Sequence, residues 1–112
     1  MTTAATLLVG GRPVGPVQVA ESLADRSRGL LGHDGLDGAL LLRPARSVHT
    51  FRMRFSIDVA FCDRRLRVLD TVTMVPNRLG RVRLRAAAIV EAEAGAFERW
   101  GLRAGEELSI GH

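Results

Sequence analysis

From His49 to Phe61 the chain alternates. His49, Phe51, Met53, Phe55, Ile57, Val59 and Phe61 fall on one side of an extended chain, and Thr50, Arg52, Arg54, Ser56, Asp58 and Ala60 on the other. Period-two alternation predicts a strand with one apolar face. Thirteen residues at roughly 3.3 Å each would reach about 40 Å, long for a small domain. A bend or bulge is therefore expected near Ser56. Thr6 to Val9, Val17 to Ala20, Ala39 to Leu42, Leu66 to Met74, Ala86 to Glu91 and Leu108 to Ile110 read as further short strands. The stretch from Gly10 to Pro16, GGRPVGP, reads as a turn-rich connection.

Two helices punctuate the strands. Ser22 with Asp25 resembles a capping pair, Leu23, Leu30 and Leu31 follow at helical spacing, and Gly32 is a plausible stop. Gly95 to Trp100 predicts a short second helix ended by Gly101. Glycines recur at positions 29, 32, 35 and 38; a helix end followed by tight turns explains them. Many short strands with one or two short helices predict an α+β, mainly β domain. A partly closed barrel is the economical way to protect strand edges at this size.

The 112 residues fit one domain spanning 1–112. Neither a long apolar run nor a basic leader followed by an apolar core is present, so a cytoplasmic protein is expected. The single Cys62 excludes an internal disulfide. Every basic residue is arginine. From Arg43 to Arg85 there are eleven arginines and three acids, a surplus of eight positive charges. A positive patch follows if they share a face.

Four separated stretches carry a family resemblance. Arg26-Ser27-Arg28-Gly29-Leu30-Leu31 resembles the R-x-R-G-L-M motif of the domain-of-unknown-function 192 family. HTFRMRFSIDVAFCD, from His49, is similar to its H-T-F-G-M-R-F-P-I-D-V-V-F-L-D segment. Ala88 to Gly95 is similar to its V-L-E-L-x-A-G segment, and Gly101 to Glu106 to its G-I-x-x-G-D ending. The resemblance runs from about Val17 to Ile110. It implies a compact, strand-rich domain and no particular reaction. Arg52 stands where the family has glycine, which implies that the backbone there does not need a positive φ. Ser56 stands where it has proline.

Candidate chemistry centres on Arg28, His49, Thr50, Arg52, Arg54, Asp58 and Glu91. His49 enters the strand from a loop, where a pocket mouth can lie; the plainer reading is a satisfied rim residue. Arg54 and Asp58 stand about 13 Å apart along a strand, so each needs a cross-strand partner, and Arg28 is one candidate. Such a buried pair is structural; the sharper alternative is a polar floor of Arg28, Arg52, Arg54 and Asp58 suited to a small anion. Glu91 is ordinary on the outward face of an edge strand, and an acid of raised pKa if inward. Cys62 lacks any nearby protease signature, and His33, His49 and His112 lack metal-ligand spacing, so no metal or cofactor is expected.

Three functions follow, in order. The first is a non-enzymatic binding or accessory domain whose arginine-lined cleft takes a small anionic or polar ligand, with a protein partner also in view. The second is a hydrolase acting on a carbohydrate-like substrate through Asp58 and Glu91, which requires both carboxylates in one pocket. The third is a binder of an acidic partner or nucleic acid through the arginine patch; scarce aromatics disfavour nucleic acid.

Overall fold

Gly10 and Gly11 take φ of 55° and 82°, the left-handed backbone of a two-residue hairpin turn. They join β1 (Ala5–Val9) to β2 (Arg12–Ala20). Leu7 pairs with Gly15 and Leu8 with Pro13, so Val14 bulges out of the ladder. Pro13 is tolerated because the ladder is interrupted beside it, and Pro16 lies just before the pairing with β3 begins at Val17. The stretch expected as a turn-rich connection is therefore mostly strand.

The computed structural model describes residues 5–22, 24, 26, 30 and 35–112. After β2 come β3 (Ala39–Leu42), β4 (Ile57–Cys62), β5 (Val68–Met74), β6 (Ala88–Glu93), the helix α1 (Ala96–Trp100) and β7 (Leu108–Gly111). The described strands form one seven-stranded sheet in the order β5-β4-β6-β3-β2-β1-β7. β2 and β3 run parallel; the other neighbouring pairs are antiparallel.

The sheet curls until its edge strands meet at one end. Val68 N donates to Glu106 O and Leu108 N to Leu66 O, both at 2.9 Å, and Arg67 bridges to Glu107. The result is a curled half-barrel, the partly closed form expected from the sequence. Contact between β5 and β7 shields edges that would otherwise template aggregation.

Strand periodicity sorts the apolar residues into two cores. Alternate residues of every strand, among them Leu7, Val17, Leu41, Cys62, Val68 and Val90, fill the inside with Phe97 of α1. The outer face carries Leu40, Val59, Phe61 and Ile89, covered by Leu30, Met53 and Phe55. β3, β4 and nearly all of β6 are therefore buried on both faces.

Several boundaries differ from expectation. The long alternating stretch is a strand only from Ile57, just past Ser56; Met53 and Phe55 remain in the outer core, while Phe51 is 45% exposed. β5 starts at Val68 because Leu66 sits at φ 64° in the preceding turn. β6 starts at Ala88. Of the first expected helix, Ala24, Arg26 and Leu30 are helical, and Arg26 N donates to Ser22 O at 3.1 Å. Leu23, Asp25, Gly29, Leu31 and Gly32 lie outside the described residues. Among the described residues no helix is long and apolar enough to cross a membrane.

Gly38, at φ 72°, brings the start of β3 against Pro16 so closely that a Cβ would run into the Pro16 carbonyl. Gly11, at φ 82°, has open space around it. Gly38→Ala should therefore cost about 3 kcal/mol, strain plus overpacking, and Gly11→Ala about 1 kcal/mol. Urea denaturation of the two variants checks the difference.

Candidate functional site

Glu91 sits mid-strand in β6, paired with Leu40 on one side and Val59 on the other. It is fully buried on the outer face of the sheet, not at an edge. A carboxylate there needs a donor, and Arg26 supplies it. Arg26 Nε lies 3.0 Å and Nη2 2.9 Å from Glu91 Oε1. Nη2 also donates to His49 O at 2.7 Å. One guanidinium thus ties the helical segment, the sheet and the loop entering at His49. Glu91 Oε2 is buried with no hydrogen-bond partner among the described residues. Burial pushes the Glu91 carboxyl above its ordinary range, and the Arg26 cation opposes that rise without cancelling it.

Thr50 follows, fully buried. Its hydroxyl donates to Val75 O at 2.6 Å and accepts from Arg78 N at 2.8 Å. Thr50 N donates to Arg78 O at 2.8 Å, and Asn77 N to Thr50 O at 2.7 Å. A buried hydroxyl with both roles filled locks the two loops together. Arg52 takes φ 64°, so the expectation that this backbone avoids positive φ is wrong. Arg52 N donates to Asn77 Oδ1 at 3.0 Å, which offsets part of the roughly 1–2 kcal/mol strain of a left-handed non-glycine residue.

His49 is half-buried. Its ring stacks on Phe51 at 4.9 Å and 19°, and its Nδ1 accepts from Phe51 N at 3.3 Å. Burial, then the Arg26 charge, lowers its pKa. His49 also bridges to Leu79. Arg52 and Arg54 are exposed beside this knot.

Asp58 lies elsewhere. It pairs with Ala92 across β4 and β6, whereas Glu91 pairs with Val59. Opposed residues share a face and neighbours alternate, so the two carboxylates lie on opposite faces of the sheet. Asp58 Oδ1 accepts from Thr73 Oγ1 at 2.7 Å, and Oδ2 accepts from Gly95 N and Phe97 N at 2.9 and 3.1 Å. It caps α1 from inside the half-barrel. The paired-carboxylate arrangement a hydrolase would need is absent at these two residues.

The structure thus brings His49, Thr50 and Glu91 together, keeps Arg52 and Arg54 at the rim and separates Asp58. Arg28 lies outside the described residues. Arg26 was missed in favour of Arg28, although it stands four residues before buried Leu30 and so on the same helical face. Asn77 and Thr73 carried no comparable signal. Burial, then the nearby Asp63 charge, pushes the Cys62 thiol up to about 12, far from a thiolate nucleophile. Among the described residues no three His, Cys, Asp or Glu side chains gather as metal ligands.

The segment after β5 completes the surface. Arg83 turns inward, with Cζ 4.2 Å from the Phe61 ring centroid and Nη2 3.1 Å from Asp70 Oδ2. Its neighbours Val82 and Leu84 consequently point out, at 60% and 79% exposure, and Leu79 is 73% exposed. Beside them is a cleft of about 360 Å³ that includes Val75, Arg78, Leu79, Arg81 and Arg83.

The raised Glu91 pKa has a sign. The protonated form is favoured in the fold, so its stabilisation is complete below the ordinary value of 4.5 and is lost as pH rises through the raised one. Stability of Glu91→Gln relative to the parent should therefore grow with pH across that window. Denaturant melts at stepped pH check this. A relative gain by the parent would show that Arg26 outweighs burial.

Comparison with known proteins gives this architecture a family. A UPF0127 protein of Pyrococcus horikoshii is 34% identical over 89 residues, covering 75% of this chain and 77% of its own. A crystal structure of a protein of unknown function from Novosphingobium aromaticivorans superposes with a TM-score of 0.78 at 16% identity, over 96% of this chain and 84% of that one. A Sinorhizobium meliloti structure, whose description proposes a transcription regulator, has a TM-score of 0.77 at 19% identity, over 98% and 94%. These two share the fold. The model of the family described as Uncharacterized ACR, domain of unknown function 192, matches residues 6–110, and the chain belongs to that family.

Proposed function

We propose that the chain is a binding domain without catalytic chemistry, and that its binding face is the surface of residues 49–54 and 75–85. The carrying observation is the contrast between locked backbone and exposed apolar side chains. Thr50 is fully buried and bonded across both loops, while Phe51, Val75, Leu79, Val82 and Leu84 stand in water at 45–79% exposure. Exposed aliphatic side chains on an ordered frame suit a partner that buries them, at about 1.5–3 kcal/mol for each fully buried. Ordering beforehand lowers the entropic cost of binding.

Charge selects the partner. Arg52, Arg78, Arg81 and Arg85 are exposed among these apolar residues, so an acidic protein segment carrying apolar side chains fits better than a small anion. It also fits better than nucleic acid, because the His49–Phe51 stack is the aromatic surface on this face and the other exposed apolar side chains, Val75, Leu79, Val82 and Leu84, are aliphatic and offer bases nothing to stack on. Asp58 and Glu91 are spent on folding, which removes the support for a hydrolase built on them.

The test is an NMR titration of labelled protein with a synthetic Glu/Leu-rich peptide and, separately, a DNA duplex. The peptide should shift amides of residues 49–54 and 75–85 and weaken as salt rises. Leu79→Ser and Arg81→Glu should each weaken it about tenfold or more, the equivalent of roughly 1.4 kcal/mol. Tighter binding of the duplex, binding indifferent to both substitutions, or no binding at millimolar peptide would overturn the reading.

A further inference from the structure

A different face carries three arginines around one cleft. The cleft, of about 430 Å³, lies beside the seam where β5 meets β7. Arg43 at the end of β3 and Arg64 and Arg65 in the β4–β5 turn supply its charge, with Ser109 and His112 alongside. Val19, Leu66, Leu108 and Ile110 supply apolar walls. No Asp or Glu lines it. Among the described residues, the side chains of Arg43, Arg64 and Arg65 form no ion pair with a carboxylate.

The turn that presents Arg64 and Arg65 is built to hold them. Asp63 Oδ1 accepts from Arg65 N at 2.9 Å and from Arg67 N at 3.0 Å. Leu66 N donates to Asp63 O, and Asp63 N to Arg67 O, both at 3.0 Å. Leu66, at φ 64°, tucks its side chain into the core. The carboxylate of the preceding residue, Asp63, is therefore engaged by backbone amides, while Arg64 and Arg65 are exposed. Three cations lining one cleft with no carboxylate paired to them among the described residues favour an oxyanion there.

We propose that this cleft binds a phosphomonoester with an apolar body: the arginines grip the phosphoryl oxygens and the Val19–Leu66–Ile110 wall covers the carbon chain. Arginine matches phosphate geometry through paired N–H donors. The apolar walls beside the arginines give the rest of the molecule a place to lie. This is independent of the protein-binding face, which lies on other loops.

Titration of labelled protein with inorganic phosphate, hexyl phosphate and sodium chloride tests it, alongside flotation with phosphatidic-acid vesicles. Hexyl phosphate should shift Arg64, Arg65, Ser109 and Ile110 amides saturably and bind at least about fivefold tighter than inorganic phosphate, as burial of its methylenes requires. The response should vanish in Arg64→Ala/Arg65→Ala, whose exposed sites leave the melting temperature unchanged, and persist in Arg81→Ala. Vesicle flotation lost in the double variant would identify a lipid headgroup as the source; hexyl phosphate binding without flotation would identify a soluble ester. Shifts matched by chloride, shifts that survive the double substitution, or no saturable shift would overturn the proposal.

Discussion

A single guanidinium decides how the outer layer sits on the half-barrel. Arg26 reaches Glu91 in the sheet and the carbonyl of His49 in the loop; Arg26 and Glu91 are buried, and the His49 end is partly so. Removing one partner of such a pair commonly costs about 3–5 kcal/mol, because the other charge is left without compensation. An apolar pair could fill the same space at less cost, so raw stability is a poor account of its presence. What it adds is position. Among the described residues, the donor that meets the His49 carbonyl is this guanidinium, and it is anchored to the middle of the sheet.

From that point order passes along hydrogen bonds. His49 leads into Thr50, which ties to Val75, Asn77 and Arg78; Asn77 in turn holds the strained Arg52 backbone. The knot supports an exposed surface instead of burying it. Inside the half-barrel Asp58 plays a parallel part, holding α1 by its first amides while Thr73 fixes the carboxylate. Two carboxylates on neighbouring strands serve two faces of one sheet, and each is answered by a donor from a separate element.

The alternation of Ile57 to Phe61 made β4 readable from sequence, because a strand with both faces covered still sorts its side chains by parity, and the number of short strands with edges to protect pointed to the barrel-like closure. The same alternation misled over His49 to Phe55, where the chain packs Met53 and Phe55 from a loop and leaves Phe51 outside. Arg52 was misread because local hydrogen bonding from Asn77 holds a backbone that composition alone would reserve for glycine. Asp58 and Glu91 were both visible as odd carboxylates. Their separation was not, since it depends on the register between β4 and β6, which is set by partners far along the chain. The outward turn of Val82 and Leu84 follows from Arg83 stacking on Phe61, a contact that no local pattern announces.

If Arg26 is the pin that orders the binding face, its loss should act locally. Amide hydrogen exchange in Arg26→Ala is the most direct measurement. The account predicts exchange accelerated at least about tenfold at Thr50, Asn77, Arg78 and Gly80, whose N–H groups bond across the two loops, equivalent to roughly 1.4 kcal/mol of lost local stability. Val68 and Leu108, at the seam between β5 and β7, should lose no more protection than the variant's fall in global stability, measured by its denaturant melt, accounts for. Uniform acceleration over the whole sheet, or unchanged exchange in the loops, would contradict it.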